Sequence, residues 1–328
     1  MKKRILGKTG FEISSVGLGT WQVGGKWGSG FSNDNADAIL DKALENGINF
    51  IDTADVYEGG ESERAVGRMV KRSNYKLFVA TKCGRQISPH VNEGYTSGAL
   101  RKYVEDSLKR MDLETIDLIQ LHCPPTAVYY RPEIFELFKK LKEEGKIQHL
   151  GVSVEKVEEA LKAVEFDNVT TVQIIYNIFR QRPQDYLFKR LAEKNIGVIV
   201  RVPLASGLLS GKFSKDSQFS ATDHRFGNRN GEWFDKGETF AGIPFEIGLE
   251  AVAKLKEILP AKVPLTAIAL QWVLRRQEIS CVIPGASTIE QFEANVAPVN
   301  QLEIDPAIVE KIEGIYYQYI KKYVHQLW

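Results

Sequence analysis

Cysteine is scarce in this chain of 328 residues. The three cysteines, Cys83, Cys123 and Cys281, are odd in number, and no C-x-x-C spacing occurs. Disulfide frameworks and structural zinc sites need cysteines in pairs at short spacings, so the sequence argues against both kinds of site. We expect each thiol to act as a small buried apolar side chain and the protein to reside in the reducing cytoplasm.

An excess charge and a long apolar run are also missing. Lys and Arg together number 43 against 42 for Asp and Glu, which leaves a net charge of +1. A near-neutral balance provides no general attraction to nucleic acid or to an anionic membrane. No apolar run approaches the roughly 20 residues of a membrane-spanning helix, and the basic N-terminus is not followed by the apolar core of a signal peptide. We therefore expect neither nucleic acid nor a membrane as a partner.

Two common nucleotide-binding motifs are incomplete. The triplet Gly7-Lys8-Thr9 has no glycine five residues before it and no predicted helix after it, so it is not a P-loop. Gly17-x-Gly19 is followed by Gln22 where the third glycine of a Rossmann motif would stand. A doubly wound dinucleotide-binding sheet therefore remains only an alternative to the architecture below.

The chain contains a repeated alternation of strand and helix patterns. A hairpin is predicted from 3–6 and 11–14, and eight strands follow at 16–20, 49–52, 77–82, 116–122, 148–153, 171–176, 197–202 and 281–284. Helical spacing is present at 33–46, 62–71, 96–111, 132–144, 155–164, 185–194, 245–259, 264–276, 289–297 and 306–323. An irregular insert at about 205–244 interrupts the rhythm. Because strand–helix repeats give parallel strands, we predict one (β/α)8 TIM barrel domain over 1–328, with an N-terminal β-hairpin and a C-terminal helix.

Three of the predicted strands end in ionisable residues, namely Asp52, Lys82 and His122. Side chains alternate along a strand, and the alternation allows all three to point into the barrel at its C-terminal rim. Tyr57 follows Asp52 by five residues, in a loop rich in glycine and acids. A structural ion pair and a core histidine are the simpler explanations for single residues. The set of four is better explained by a reaction site.

The four residues are suited to proton donation. Tyrosine is a weak acid at pH 7 unless its phenolate is stabilised, and the ammonium of Lys82 beside the hydroxyl of Tyr57 would stabilise it. Asp52 would keep Lys82 charged inside the barrel. His122 could hydrogen-bond a substrate carbonyl and position it.

The segments FIDTADVY, ATK, LHCP, GVS, VQIIYN, PLASGLLSGK and IPGAS span nearly the whole chain. In this order they resemble the aldo-keto reductase superfamily. The resemblance implies a (β/α)8 barrel with a nicotinamide cofactor across the C-terminal rim. It also implies hydride transfer to a small aldehyde, ketone or sugar, or the reverse oxidation. By the same resemblance Tyr57 is the general acid and base, Lys82 and Asp52 adjust its acidity, and His122 orients the carbonyl. We expect a monomer or a weak homo-oligomer whose partner is this small carbonyl compound.

The resemblance also implies a set of cofactor-binding residues. Next to the nicotinamide they are Gly19, Thr20, Trp21, Asp52, Ser153, Gln173 and Arg201. Along the pyrophosphate they are Pro203, Leu204, Ser206, Gly207, Leu209, Gly211 and Lys212. At the adenosine they are Ile283, Gly285, Ser287, Gln291 and Asn295.

This sequence departs from the family pattern at three positions around the expected cofactor. Val154 replaces the usual asparagine at the carboxamide. Arg201 replaces a stacking aromatic residue, where it could stack on the nicotinamide or reach the pyrophosphate. The cation that often holds the adenosine 2′-phosphate is missing. NADP(H) is the expected cofactor, with NAD(H) open.

Substrate contacts are expected from Trp21, Tyr57 and His122. Five other aromatic residues in loops over the predicted rim are further candidates for the substrate pocket, although a surface or packing role is the stronger expectation for them; they are Trp27, Tyr129, Tyr130, Trp233 and Phe234. Two other functions stay open as alternatives. A regulatory subunit would keep the barrel and the cofactor without turnover. A metal-dependent barrel hydrolase would need clustered ligands, of which only His122 and Asp52 qualify.

Overall fold

The structure is a computed structural model, and it describes residues 1–25, 30–260, 263–296, 299 and 303–328. The strands are β1 (Lys3–Ile5), β2 (Glu12–Ser14), β3 (Leu18–Gly19), β4 (Phe50–Asp52), β5 (Phe78–Cys83), β6 (Ile116–His122), β7 (Ile147–Ser153), β8 (Val169–Ile175), β9 (Gly197–Arg201) and β10 (Cys281–Val282). The helices are α1 (Asn33–Glu45), α2 (Glu61–Arg72), α3 (Ser97–Met111), α4 (Pro132–Glu143), α5 (Val157–Ala163), α6 (Leu187–Glu193), α7 (His224–Gly227), α8 (Phe245–Ile258), α9 (Leu265–Leu274), α10 (Ile289–Val296), α11 (Pro306–Ile315) and α12 (Lys321–Val324).

Strands β3 to β10 form one parallel sheet in which each strand pairs with its neighbours in chain order. The first and last strands also meet. The Gly17 amide donates to the Val282 carbonyl at 2.9 Å, and the Val282 amide donates to the Ser15 carbonyl at 3.0 Å. The sheet therefore curls round on itself, and the predicted (β/α)8 barrel is confirmed.

The hairpin of β1 and β2 covers the N-terminal end of this barrel. Leu6 and Ile13 are fully buried among side chains that point inward from the strands. The ring of Phe11 stacks on that of Phe78 with centroids 4.4 Å apart. This end is thus filled with apolar side chains, and the loops after the strands lie at the opposite, C-terminal end.

The outer helices bury one apolar side against the sheet and begin where the sequence provides a cap. Ser32 accepts a hydrogen bond from the Asn35 amide at the start of α1, as Ser does at many helix N-termini. Helix α5 begins later than predicted, because the Glu159 carboxylate accepts the amides of Glu155 and Lys156, each at 3.0 Å. These two residues are therefore held outside the helix.

Other predicted boundaries also differ from the structure. The strand predicted at 16–20 is reduced to β3, because the chain turns directly after it and the Val23 amide donates to the Thr20 carbonyl at 3.2 Å. The C-terminal helix is interrupted by a π-helical turn at Tyr316–Ile320, between α11 and α12. The predicted end of the helix at 289–297 lies outside the described residues.

Candidate active site

The three ionisable strand ends meet inside the barrel. Asp52 ends β4, Lys82 lies near the end of β5 and His122 ends β6. From strand to strand the three residues are staggered by two positions, since Asp52 lies opposite Ala80 and Lys82 lies opposite Gln120. A stagger of two keeps all three side chains on the same face of the sheet. All three side chains are buried, with no more than 6% of any residue exposed.

Lys82 joins this group to Tyr57. Its Nζ forms an ion pair with Asp52 Oδ1, donates to the Thr53 carbonyl at 2.9 Å and lies 3.2 Å from the Tyr57 hydroxyl. A tight turn over Tyr57–Gly60 carries the tyrosine above the strand ends. Glu58 takes a left-handed conformation in this turn, with φ of 48°, which is uncommon for a residue with a side chain.

Asp52 accepts hydrogen bonds from two buried amides as well. Gln120 Nε2 and Gln173 Nε2 both donate to Asp52 Oδ2, at 3.0 and 2.8 Å. Gln120 was not among the predicted site residues. Its position two residues before His122, on the same side of the strand, is the signal that identifies it. Gln173, expected at the carboxamide, lies beside Ser153 in the register of β7 and β8 with its amide directed at Asp52.

The ionisation of the group follows from burial and from neighbouring charge. Burial lowers the pKa of Lys82, but Asp52 and Tyr57 outweigh this effect and raise it overall, so Lys82 is an ammonium ion at pH 7. Burial raises the pKa of Tyr57, although Lys82 opposes the rise. Burial, with Arg85 and Lys82, holds the pKa of His122 well below its usual value. His122 is therefore neutral, and its Nδ1 is buried with no hydrogen-bond partner among the described residues.

Aromatic side chains line the space above Tyr57. Trp21 lies nearly parallel to Tyr57 with ring centroids 6.0 Å apart, and His122 meets Tyr57 edge to face, also at 6.0 Å. The rings of Phe234 and His224, which belong to the long insert after β9, pack against Trp21. Their centroids lie 6.0 and 5.3 Å from that of the Trp21 ring. The insert thus supplies part of the wall around Trp21.

The other aromatic residues of the predicted rim take different positions. Tyr129 is fully buried and its hydroxyl lies 3.4 Å from the Ser153 carbonyl. Tyr130 and Trp233 are exposed. Trp27 lies outside the described residues. Phe234 packs against Trp21, and the missing periodicity of the insert gives no sequence signal for this contact.

A buried cluster of charges lies beside His122, and three of its members were not predicted. Arg201 Nη2 donates to Glu155 Oε2 at 2.9 Å and to the Val154 carbonyl at 3.2 Å, and Arg201 Nη1 lies 3.5 Å from Glu238 Oε2. Arg85 Nη1 donates to Glu238 Oε1 at 3.0 Å. The Sγ atom of Cys123 and one carboxylate oxygen each of Glu155 and Glu238 lie within 4.8 Å of one another. The guanidinium of Arg201 contacts all three of these residues and supplies the positive charge there.

The carboxyls of this cluster differ in acidity. Burial raises the pKa of Glu155 to about 8, although Arg201 opposes the rise. Burial alone would also raise the pKa of Glu238, but Arg85 and Arg201 outweigh it and lower that pKa. The pKa values of the two carboxyls are thus shifted in opposite directions, and Glu155 is the weaker acid of the two.

The segment expected along the pyrophosphate follows β9 and turns sharply. Ser206, Gly207 and Gly211 have φ of 54°, 94° and 71°. The Ser206 hydroxyl donates to the Glu238 carbonyl and accepts the Phe240 amide, which ties this turn to the insert. Among the remaining members of the set, Pro203 and Leu209 are buried, Leu204 is half-buried and Lys212 is exposed.

The segment expected at the adenosine lies on the neighbouring part of the rim. Gln291 Oε1 accepts the amide and the hydroxyl of Ser287, at 3.0 and 2.9 Å. Asn295 Nδ2 donates to the Gly285 carbonyl at 3.2 Å. Ile283 precedes this loop and is buried. The sequence from 283 to 295 contains neither Lys nor Arg.

Comparison with known proteins identifies the family. The model of the "Aldo/keto reductase family" matches residues 15–317. The chain belongs to the aldo/keto reductase family. Members are oxidoreductases that use nicotinamide cofactors.

Individual members resemble this aldo/keto reductase over nearly their whole length. The chain is 30% identical over 317 residues to an uncharacterized oxidoreductase, YqkF, of Bacillus subtilis, with 96% of each chain covered. It is 28% identical to an NADH-specific methylglyoxal reductase of Escherichia coli, over 92% of this chain and 94% of that one. The solved structure of the glycerol dehydrogenase AKR11B4 from Gluconobacter oxydans matches with a TM-score of 0.77 and 30% identity, over 97% of this chain and 95% of that one.

Among the described residues of this aldo/keto reductase, none of the helices combines the length and the apolar character needed to span a membrane.

Proposed function

We propose that this protein reduces the carbonyl group of small aldehydes, ketones or sugars with NADPH or NADH, or catalyses the reverse oxidation, and that Tyr57 is its general acid and base. The observation that carries the proposal is the position of Lys82. One buried ammonium contacts the carboxylate of Asp52 and lies 3.2 Å from the hydroxyl of Tyr57. A charge in this position favours the phenolate that Tyr57 becomes after it gives up its proton.

The proton moves between Tyr57 and the substrate oxygen. During reduction the hydroxyl of Tyr57 donates its proton to the oxygen on which negative charge develops. The ammonium of Lys82 remains charged because of Asp52, and it stabilises the phenolate that is left. In the oxidation direction the same phenolate accepts the proton of the alcohol.

His122 is proposed to orient the carbonyl. Its ring is neutral and meets the Tyr57 ring edge to face, so it can donate one hydrogen bond without competing as an acid. Trp21 and Phe234 cover the same space with apolar surface. Their contact limits the access of water to the reacting atoms.

The chain has residues that fit a nicotinamide cofactor. Arg201 Nε and Glu155 Oε1 are buried polar atoms with no hydrogen-bond partner in the described part of the chain, and they lie beside Ser153, where the carboxamide is expected. Ser206 and Gly207 both have positive φ, and turns of this kind can direct backbone amides at a phosphate. A bound reduced nicotinamide would supply the hydride.

The cofactor preference is proposed from the adenosine segment. Ser287, Gln291 and Asn295 would contact the ribose end. NADP(H) remains the expected cofactor, but a 2′-phosphate is normally held by Arg or Lys, and the segment from 283 to 295 has neither. The relative named as NADH-specific is in keeping with use of NAD(H) as well.

The test is the rate of nicotinamide oxidation with NADPH and with NADH, against small aldehydes, ketones and sugars. Tyr57→Phe should lower kcat by about 10²–10⁴-fold, the usual contribution of general acid–base catalysis, and should leave cofactor binding intact. Tyr129→Phe removes the hydroxyl of another buried tyrosine near the rim and should keep kcat within a few-fold of the unaltered protein. Full activity of Tyr57→Phe would refute the assignment.

A further inference from the structure

A cavity of about 470 Å³ adjoins the candidate active site on the side of β5, β6 and β7. Its wall includes Cys123, which directly follows His122, and Phe234, which contacts Trp21 at 6.0 Å. The polar part of the wall includes Arg85, His90, Thr126, Lys156, Glu155 and Asp235. The cavity therefore shares Phe234 with the wall around the reacting atoms.

Arg85 has hydrogen-bonding capacity that the fold does not use. It lies in the loop after β5, with its guanidinium carbon 5.5 Å from the centre of the Phe234 ring. Only Nη1 has a partner among the residues the structure describes, and that partner is Glu238 Oε1 at 3.0 Å. The side chain is 21% exposed, so its remaining N–H groups are accessible. A guanidinium with free N–H groups is suited to a carboxylate or a phosphate.

The acids in the wall are already bound within the chain. The Glu159 carboxylate accepts the amides of Glu155 and Lys156. Asp235 accepts the indole N–H of Trp328 at 2.8 Å and the amide of Gly237 at 2.7 Å. The carboxylates of Glu159 and Asp235 are therefore held by donors other than Arg85. Glu238 hydrogen-bonds Arg85 itself, so it is the carboxylate that would compete with an incoming anion.

The charge next to Arg85 also favours an anion. Arg85 and Arg201 face Glu238 and Glu155. Two guanidinium ions thus lie at two carboxyls, and burial raises the pKa of one of these carboxyls, that of Glu155. The guanidinium of Arg201 therefore adds a second positive charge on the side of the cavity where Arg85 lies.

We propose that Arg85 binds a carboxylate or phosphate group of the substrate in this cavity, so that the preferred substrates are carbonyl compounds that carry an anionic group. The inference rests on the proposed function, since it places the reacting carbonyl at Tyr57 and His122. Arg85 is then a residue that determines substrate specificity. Glu238 competes with the substrate anion for the same guanidinium.

The test compares two aldehydes that differ in one charge, 4-carboxybenzaldehyde and its methyl ester. The unaltered protein should have the higher kcat/KM with the carboxylate. Arg85→Gln should lower kcat/KM for the carboxylate by about 10–100-fold, mainly through KM, as expected for the loss of a charge-assisted hydrogen-bonded pair. The value for the ester should stay within about 3-fold, which would also show that the variant is folded.

Two further variants test the mechanism of the preference. Lys156→Gln removes a charge from the same cavity wall without removing the guanidinium, and it should have a much smaller effect. Glu238→Gln removes the competing carboxylate, and it should raise the ratio of the kcat/KM values in favour of the charged aldehyde. This second result does not depend on the stability of Arg85→Gln.

The outcomes separate this inference from the function on which it rests. If neither aldehyde nor any other carbonyl compound is reduced, the proposed function fails. If both aldehydes are reduced equally and Arg85→Gln changes both alike, only the inference fails. If Lys156→Gln lowered kcat/KM for the carboxylate as much as Arg85→Gln does, the inference would also be overturned, because Arg85 would then act only through its general positive charge. Weaker NADPH binding in Arg85→Gln would overturn it as well, because Arg85 would then hold the cofactor.

Discussion

Asp52 accepts hydrogen bonds from three buried side chains, those of Lys82, Gln120 and Gln173. A lone carboxylate in this place would be strongly disfavoured, and three donors with one positive charge compensate for the lost water. The same contacts fix the position of the ammonium beneath Tyr57. The residue that keeps Lys82 charged is therefore also the residue that aligns it.

Asp55 contrasts with Asp52, because its buried carboxylate has no side-chain partner within hydrogen-bonding distance in the described chain. Burial, together with Glu63, raises its pKa to about 7. The folded state then binds a proton that the unfolded state has already released, so the stability falls as the pH rises from about 4 to 7. The fall due to Asp55 is at most about 1.4 kcal/mol per pH unit.

Asp55→Asn should remove this dependence. We expect the variant to gain stability relative to the unaltered protein between pH 4.5 and 7.5, measured as the midpoint of urea unfolding at several pH values. Asp216→Asn, at an exposed aspartate, provides the control. Parallel curves for Asp55→Asn and the unaltered protein would show that Asp55 ionises normally.

At the scale of an element, the insert after β9 forms a cover with its own internal order. Asn228 is fully buried, and its Oδ1 accepts the amides of Trp233 and Phe234 at 2.7 and 2.9 Å. Its Nδ2 donates to Thr239 Oγ1 at 3.1 Å. These three bonds hold the loop that places Phe234 against Trp21.

Asn228→Ala should loosen this loop, because two backbone amides lose their acceptor. We expect KM for carbonyl substrates to rise by roughly 10-fold, while the Kd for the cofactor stays within about 2-fold. The matched control is Asn230→Ala, since Asn230 lies in the same loop but is exposed and bonds only to Glu232 among the described residues. An equal rise in the cofactor Kd would mean that Asn228 supports the whole rim rather than the substrate side.

At the scale of the whole molecule, stability and chemistry are located at opposite ends of the barrel. The hairpin fills the N-terminal end with Leu6, Ile13 and Phe11, whereas the candidate catalytic residues lie at the C-terminal rim. In TIM barrels the active site is built at the C-terminal face, whereas the residues of the N-terminal face serve stability.

Leu6→Ala should leave a cavity beneath the barrel and lower the free energy of unfolding by about 2–5 kcal/mol. Below its unfolding temperature the variant should keep kcat, because the described side chains packed around Leu6 include none of the candidate catalytic residues. Ile5→Ala, on the same hairpin but at a side chain that is 55% exposed, should change stability by less than about 1 kcal/mol. A loss of kcat in folded Leu6→Ala would show that the two ends are coupled.

The sequence alone determined the barrel and the placement of the candidate catalytic residues on it. Eight strand–helix repeats can form parallel strands only with crossover helices, and parallel strands end at one rim. The strand period of two residues and the helix period of 3.6 residues are local patterns, and they were sufficient to predict that Asp52, Lys82 and His122 lie together. Gln120 could have been found by the same alternation.

Only the tertiary structure decided which groups surround them. Arg85 and Glu238 are 153 residues apart, and Glu238 lies in an insert without periodicity. Their contact, the position of Phe234 against Trp21 and the raised pKa of Glu155 depend on packing between distant loops. Such contacts leave no local pattern in the sequence, because long-range packing and burial, rather than backbone preference, determine them.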